Sequence, residues 1–289
     1  MAGRGAGRYI GAAASGLRSR NPDAMAKTAT KPTPARSVLQ PAGGERTARK
    51  AAQAAFAAQP LPQRLALALD VLRAAGSAHN RAGMARFGIP SERAFGVPMG
   101  QIQALAKRLG RDRALAAALW DSGWHEARLL AAYLDDPAAL TSAQMDRLAR
   151  EFDNWALCDT VCSKLFQPSP LAWGKIAQWA PRRDEFVRRA AFALLAAKAV
   201  HDQTAGDEAF LHGLALVEAQ AGDARNLVKK AVNWALRQTG KRNPRLRDAA
   251  IAVATRLAQS ADPAPRWIGK DALRELRSEA VARRVAAKG

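Results

Sequence analysis

Cysteine is almost missing from this chain. Only Cys158 and Cys162 occur in 289 residues. Four positions apart in a helical pattern, they make neither a disulfide framework nor, without a second pair or a nearby histidine, a zinc set. They read as buried free thiols, which fits a reducing cytoplasm. Long apolar runs are absent too: none reaches the roughly 18–20 residues that span a bilayer. The apolar stretch at Ile10, behind Arg4 and Arg8, is too short for a secretory signal. An Arg-rich, acid-poor start equally suits a transit peptide, or a chain whose first residue is Met25. Val and Ile rarely cluster, so no segment reads as a strand, and alanine, the best helix former, dominates.

Acidic residues are scarce. Against 45 Lys and Arg there are 25 Asp and Glu, a net charge of +20 and a pI near 11.1. Ten of the basic residues and two of the acids lie in the first 60, so the remainder still carries a surplus of +12. A folded body with that excess suits a polyanionic partner whose binding releases counterions. Coding bias toward Arg and Ala is the alternative source of the charge.

Residues 1–55 are rich in Ala, Gly, Pro, Ser and Arg with few large apolar groups, and are expected to form a disordered basic arm. From about residue 56 a single domain is expected. Leu65, Leu69 and Leu72 mark one amphipathic helix ended by Gly76. An irregular stretch with two prolines and two glycines runs from Phe87 to Met99. Helices follow over about 112–122, 124–134, 141–152 (N-capped by Thr141), 155–166, 170–180, 184–200, 207–221, 224–239, 245–259 and 269–284, with Pro181, Gly206, Gly240, Pro263 and Pro265 among the breakers. So many short-linked helices exceed a simple bundle. The expected fold is all-α: a right-handed solenoid of HEAT-like antiparallel helix pairs with a concave basic face.

Three segments carry candidate chemistry. Trp155 and Asp159 are four apart and project from one helix face, where an aromatic plate beside a carboxylate can hold a cation. An ordinary core Trp and an ion-paired Asp have the same spacing. Arg188 and Arg189 open a helix whose remainder is nearly all apolar, so one of them is expected to face an internal partner or the groove. Lys230, Trp234 and Arg237 form a cation–aromatic–cation stripe, followed by Lys241 past the turn at Gly240. Such a stripe suits a phosphate backbone, with the ring on sugar or base.

The blocks Trp124-His-Glu-Ala-Arg-Leu-Leu130, Phe152-Asp-Asn-Trp-Ala-Leu-Cys-Asp159, Phe186-Val-Arg-Arg-Ala190, Val228-Lys-Lys-Ala-Val-Asn-Trp-Ala-Leu-Arg237 and Arg266-Trp-Ile268 occur in this order. Together, over about residues 80–280, the chain resembles the DNA alkylation repair proteins of the AlkD type, HEAT-like repeat DNA glycosylases. The resemblance implies hydrolysis of the N-glycosidic bond of cationic alkylated purines, such as 3-methyladenine and 7-methylguanine, in double-stranded DNA. It implies no metal, no cofactor and no base-holding pocket. It makes Asp159 the catalytic carboxylate, with Trp155 beside it and Arg189, rather than Arg188, as the associated arginine. Trp234 matches the second aromatic and Arg237 a backbone-contacting arginine; Arg188, Lys230 and Lys241 are further DNA-binding candidates. Ala156 departs from the pattern, since many relatives carry Asp there. A monomer without membrane attachment, in the bacterial cytoplasm at the nucleoid, is expected. Two other classes remain open: a non-catalytic helical-repeat protein binding damaged or branched DNA, and a protein-binding scaffold.

Overall fold

A computed structural model describes residues 43–287, and their side chains from residue 46. The sequence-predicted arm up to residue 42 lies outside the described residues. Among the described residues there is no strand, and the architecture is an all-helical solenoid. Fifteen α-helices follow one another: α1 (Gly43–Ala57), α2 (Leu61–Ala75), α3 (Ala78–Met84), α4 (Met99–Leu109), α5 (Arg113–Asp121), α6 (His125–Leu134), α7 (Ser142–Arg150), α8 (Trp155–Val161), α9 (Ala172–Trp179), α10 (Glu185–His201), α11 (Asp207–Gln220), α12 (Asn226–Thr239), α13 (Pro244–Ala258), α14 (Pro263–Leu276) and α15 (Glu279–Ala286).

From α4 onward the even-numbered helices form one row, each touching the next, and α5, α7, α9, α11 and α13 form the other. The even row is parallel, as the side-chain register demonstrates. Asn154 at the start of α8 meets His125 at the start of α6. Arg189 of α10 bonds the carbonyl of Leu227 in the first turn of α12. Asn233 and Arg237 of α12 reach Asp271 and Glu275 of α14, in each case 38 residues on. All these helices therefore begin on one edge of the array. Their N-terminal backbone dipoles give that edge a partial positive charge.

α5, α9, α11 and α13 each turn back against the even helix that follows, whereas α7 packs on α10. Gly269 of α14 sits so close to α13 that a Cβ there would lie 2.3 Å from the Ala258 nitrogen. Polar ties join the odd row: Trp120 Nε1 donates to Glu151 at 2.5 Å, and both Lys175 and Trp179 donate to Asp146. The core runs continuously between the rows. α10 lies at its centre, buried from Arg189 to Ala199, because its alanines let neighbours approach on every side.

Side-chain caps set several helix starts. Asp112, Thr141, Asn154, Asn243 and Ser278 each accept a bond from a backbone N–H in the first turn. Three boundaries differ from the sequence-predicted ones. Residues 43–55 belong to helix α1 rather than to an unstructured arm: alanine-rich sequence suffices once α1 has α4 to dock on, with Gln53 Nε2 donating to the Lys107 carbonyl. Pro263 and Pro265 do not separate helices but lie in the first turn of α14, where a missing N–H costs nothing. The single helix expected over 269–284 is two helices, because Ser278 caps a new one. No described helix is long and apolar enough to cross a membrane.

Candidate active site

The site is built on α8. Asn154 starts this helix: buried, it accepts the Leu157 N–H at 2.9 Å, so Trp155 is the first helical residue. Leu157, Cys158 and Val161 fill the core side, leaving Trp155 and Asp159 one turn apart at a half-buried position. Just beyond, residues 162–166 form a single π-turn, closed by the Gln167 N–H on the Cys162 carbonyl. Burial pushes the Cys162 thiol well above its ordinary value, so it stays protonated and inert.

Asp159 is met by Arg189. Arg189 Nε donates to one carboxylate oxygen at 3.1 Å and Nη2 to the other at 2.7 Å, while Nη1 donates to the Leu227 carbonyl at 2.6 Å. This guanidinium thus ties α8, α10 and α12 together with one planar fork. Its side chain is 7% exposed and that of Asp159 is 22% exposed. Burial raises the Asp159 carboxyl above its ordinary value, with the guanidinium pulling the other way. Burial, the largest influence on Arg189, lowers it, but the Asp159 carboxylate together with Cys158 and Cys162 raises the guanidinium above its ordinary value. Each Asp159 oxygen accepts an N–H from the guanidinium fork, the arrangement of an ionised pair.

Trp155 is held from the other side. Its indole N–H donates to the Phe87 carbonyl at 2.8 Å. The backbone beyond Phe87 is irregular, and Glu126 holds it: this buried carboxylate accepts the N–H groups of Phe95, Gly96 and Val97 at 2.7–3.2 Å. The Phe95 and Trp124 rings stack there at 4.3 Å, with Arg73 and Arg93 over their outer faces. Residues 88–98 are therefore a fixed wall beside α8. Glu126 stands in a block quoted from the sequence, but its role was not legible there, because its partners are backbone amides thirty residues upstream.

The remaining sequence-predicted residues separate into two groups. Arg188 does not reach an open surface; it donates to Asp223 at 2.7 Å and to the Pro181 carbonyl. Arg225 completes that cluster, and its hydrogen bonds, with those of Arg188, hold the Asp223 carboxyl down to about 2. Arg237 and Lys241 both pair with Glu275 of α14, so two cations of the expected stripe are already answered by an acid. The reason is register, since the acids of α14 fall opposite the cations of α12. Lys230 remains exposed, and Trp234 is half-buried against the core. Among the described residues no group of three or more His, Cys, Asp or Glu could hold a metal ion.

The family model for the DNA alkylation repair enzyme matches residues 68–276, from α2 to the end of α14. The chain belongs to this family. The match takes in Trp155, Asp159, Arg189 and the α12 stripe, and stops before α15. A solved structure, described as a new family of proteins related to the HEAT-like repeat DNA glycosylases with affinity for branched DNA structures, superposes with a TM-score of 0.62. It is 21% identical, and the alignment covers 73% of this chain and 95% of that one. At that identity the likeness concerns the fold. No curated protein matches.

Proposed function

We propose that this alkylation repair family member is a DNA glycosylase that releases cationic alkylated purines, 7-methylguanine and 3-methyladenine, from duplex DNA. One observation carries this: Asp159, ionised by the Arg189 fork, remains partly open on the same helix face as Trp155. An N-alkylated purine is already a cationic leaving group. When the bond to C1′ breaks, its electron pair moves to the base, which departs neutral, and positive charge develops on the sugar. A carboxylate aimed at that sugar stabilises the charge in a site where counter-charges are worth more than in water. Water then adds to C1′ and gives up a proton. Trp155 is oriented by its bond to the Phe87 carbonyl and offers its ring to the deoxyribose. The test is base release from methylated duplex DNA by the wild type and by Asp159→Asn. The variant is expected to bind with similar affinity and to lose roughly tenfold to a thousandfold in single-turnover rate. Wild-type rates from that variant would remove Asp159 from the chemistry.

A second function, binding of damaged or branched DNA without catalysis, has its own support. Arg189 donates a bond to each Asp159 oxygen, and Ala156 beside Trp155 supplies no second carboxylate. The superposed fold, too, is described with affinity for branched DNA. Tight binding by the wild type with no base released would select this alternative.

A further inference from the structure

The candidate site leaves the block Arg266-Trp267-Ile268 without a role. Trp267 lies in the second turn of α14 and is 40% exposed, unusual for so large an apolar ring. Lys229 of α12 places its ammonium 5.0 Å from the ring centre. Lys230 beside it, and Lys270 one turn along from Trp267, are both exposed. The acids of α14 are committed elsewhere, Glu275 to Arg237 and Lys241, Asp271 to Arg274 and Asn233. None of the three lysines has an ion-pair partner among the described residues. The patch is therefore a half-exposed aromatic face with one lysine over it and two exposed lysines, without ion-pair partners, on the same two helices.

Its position is continuous with the Asp159 site. Asp159 bonds Arg189, Arg189 bonds the Leu227 carbonyl, and Lys229, two residues on, covers Trp267. From α8 to α14 is three steps along the even row. At about 8–10 Å per packed helix this is roughly 24–30 Å, or about seven to nine base pairs at 3.4 Å each.

Resting on the proposal that the protein binds duplex DNA, we propose that Trp267 with Lys229, Lys230 and Lys270 is a second DNA contact. The ring packs on a deoxyribose and the lysines take phosphates seven to nine base pairs from the lesion. This contact fixes where the duplex lies along the array, and the chemistry stays at Asp159. The occupant is a nucleic-acid backbone because the patch combines an exposed flat ring with lysines that have no acidic partner, the combination that stacks and neutralises such a chain.

The experiment uses a duplex carrying a stable abasic analogue, so that binding is read by anisotropy without excision. Trp267→Ala is expected to weaken binding about fivefold to a hundredfold. The Lys230→Ala/Lys270→Ala double variant should lower the slope of log K against log salt by about two. Shortening the duplex on one side of the analogue below seven base pairs should abolish the difference between the Trp267 variant and wild type. Unchanged affinity and slope overturn the proposal, as does a Trp267 variant that dissociates an oligomer in sedimentation while binding DNA normally. Because these readouts need no base release, a wild type that binds but does not excise would defeat the glycosylase proposal and leave the patch standing.

Discussion

Arg189→Gln is the most informative perturbation of the candidate site. The guanidinium makes two bonds to Asp159 and one to the Leu227 carbonyl, and little of it meets solvent. Removing it strands a largely buried carboxylate and a carbonyl. Breaking one partner of such a pair costs about 3–5 kcal/mol. At about 2–4 °C per kcal/mol for a domain of this size, melting should fall by roughly 6–20 °C. Asp159→Asn should cost less, about 1–3 kcal/mol, since an amide oxygen can still accept from the fork. Urea unfolding followed by circular dichroism on both single variants and the double variant closes the cycle. A coupling of about 2 kcal/mol is expected, against about 0.5 kcal/mol for sites that act independently. The deficit must also depend on pH in a fixed direction. Asp159 is already raised by burial, and without Arg189 it rises further above its unfolded value near 3.9. A folded-state pKa above the unfolded one means stability is lost as pH rises through it. The Arg189 variant should therefore be closer to wild type at pH 5 than at pH 8. Additive variants, or a deficit that grows toward acid, would refute the assignment of an ionised, mutually dependent pair.

Two further measurements probe the scaffold. Gly269→Ala sets a Cβ 2.3 Å and 2.5 Å from α13 backbone atoms, so it should cost about 2–3 kcal/mol in thermal melting, whereas Gly174→Ala, with nothing within 4 Å, should be neutral or gain up to about 1 kcal/mol. Asp223, held at about 2 against an ordinary 3.9, contributes stability present above pH 4 and lost as pH falls toward 2, no more than about 2 kcal/mol after screening at the partly open Arg225; Asp223→Asn should flatten that limb of an acid titration.

Much of the array was legible because its punctuation is local. Thr141 caps where its side chain suggests, and Gly76 and Gly240 stop helices at the expected places. Where the sequence misleads, the missing information is tertiary. Nothing in residues 43–55 announces the α4 surface they dock on. Prolines 263 and 265 look like breakers until their place in the first turn is known. At the site, the spacing of Trp155 and Asp159 indicated a shared face, and Arg189 is indeed the arginine that meets Asp159. Arg237 and Lys241 were harder, because whether a cation is free depends on a register of 38 residues between parallel helices that no local pattern encodes.

The stretch held by Glu126 has a consequence for binding. A chain segment without regular structure ordinarily enters a complex as an ensemble, and each residue that becomes ordered subtracts from affinity. Here three amides already share one carboxylate, two rings are stacked, and the Phe87 carbonyl holds the Trp155 indole before any ligand arrives. The ordering of that wall belongs to the free energy of folding, so any ligand that packs on Trp155 meets a preorganised surface and loses no affinity to arranging it.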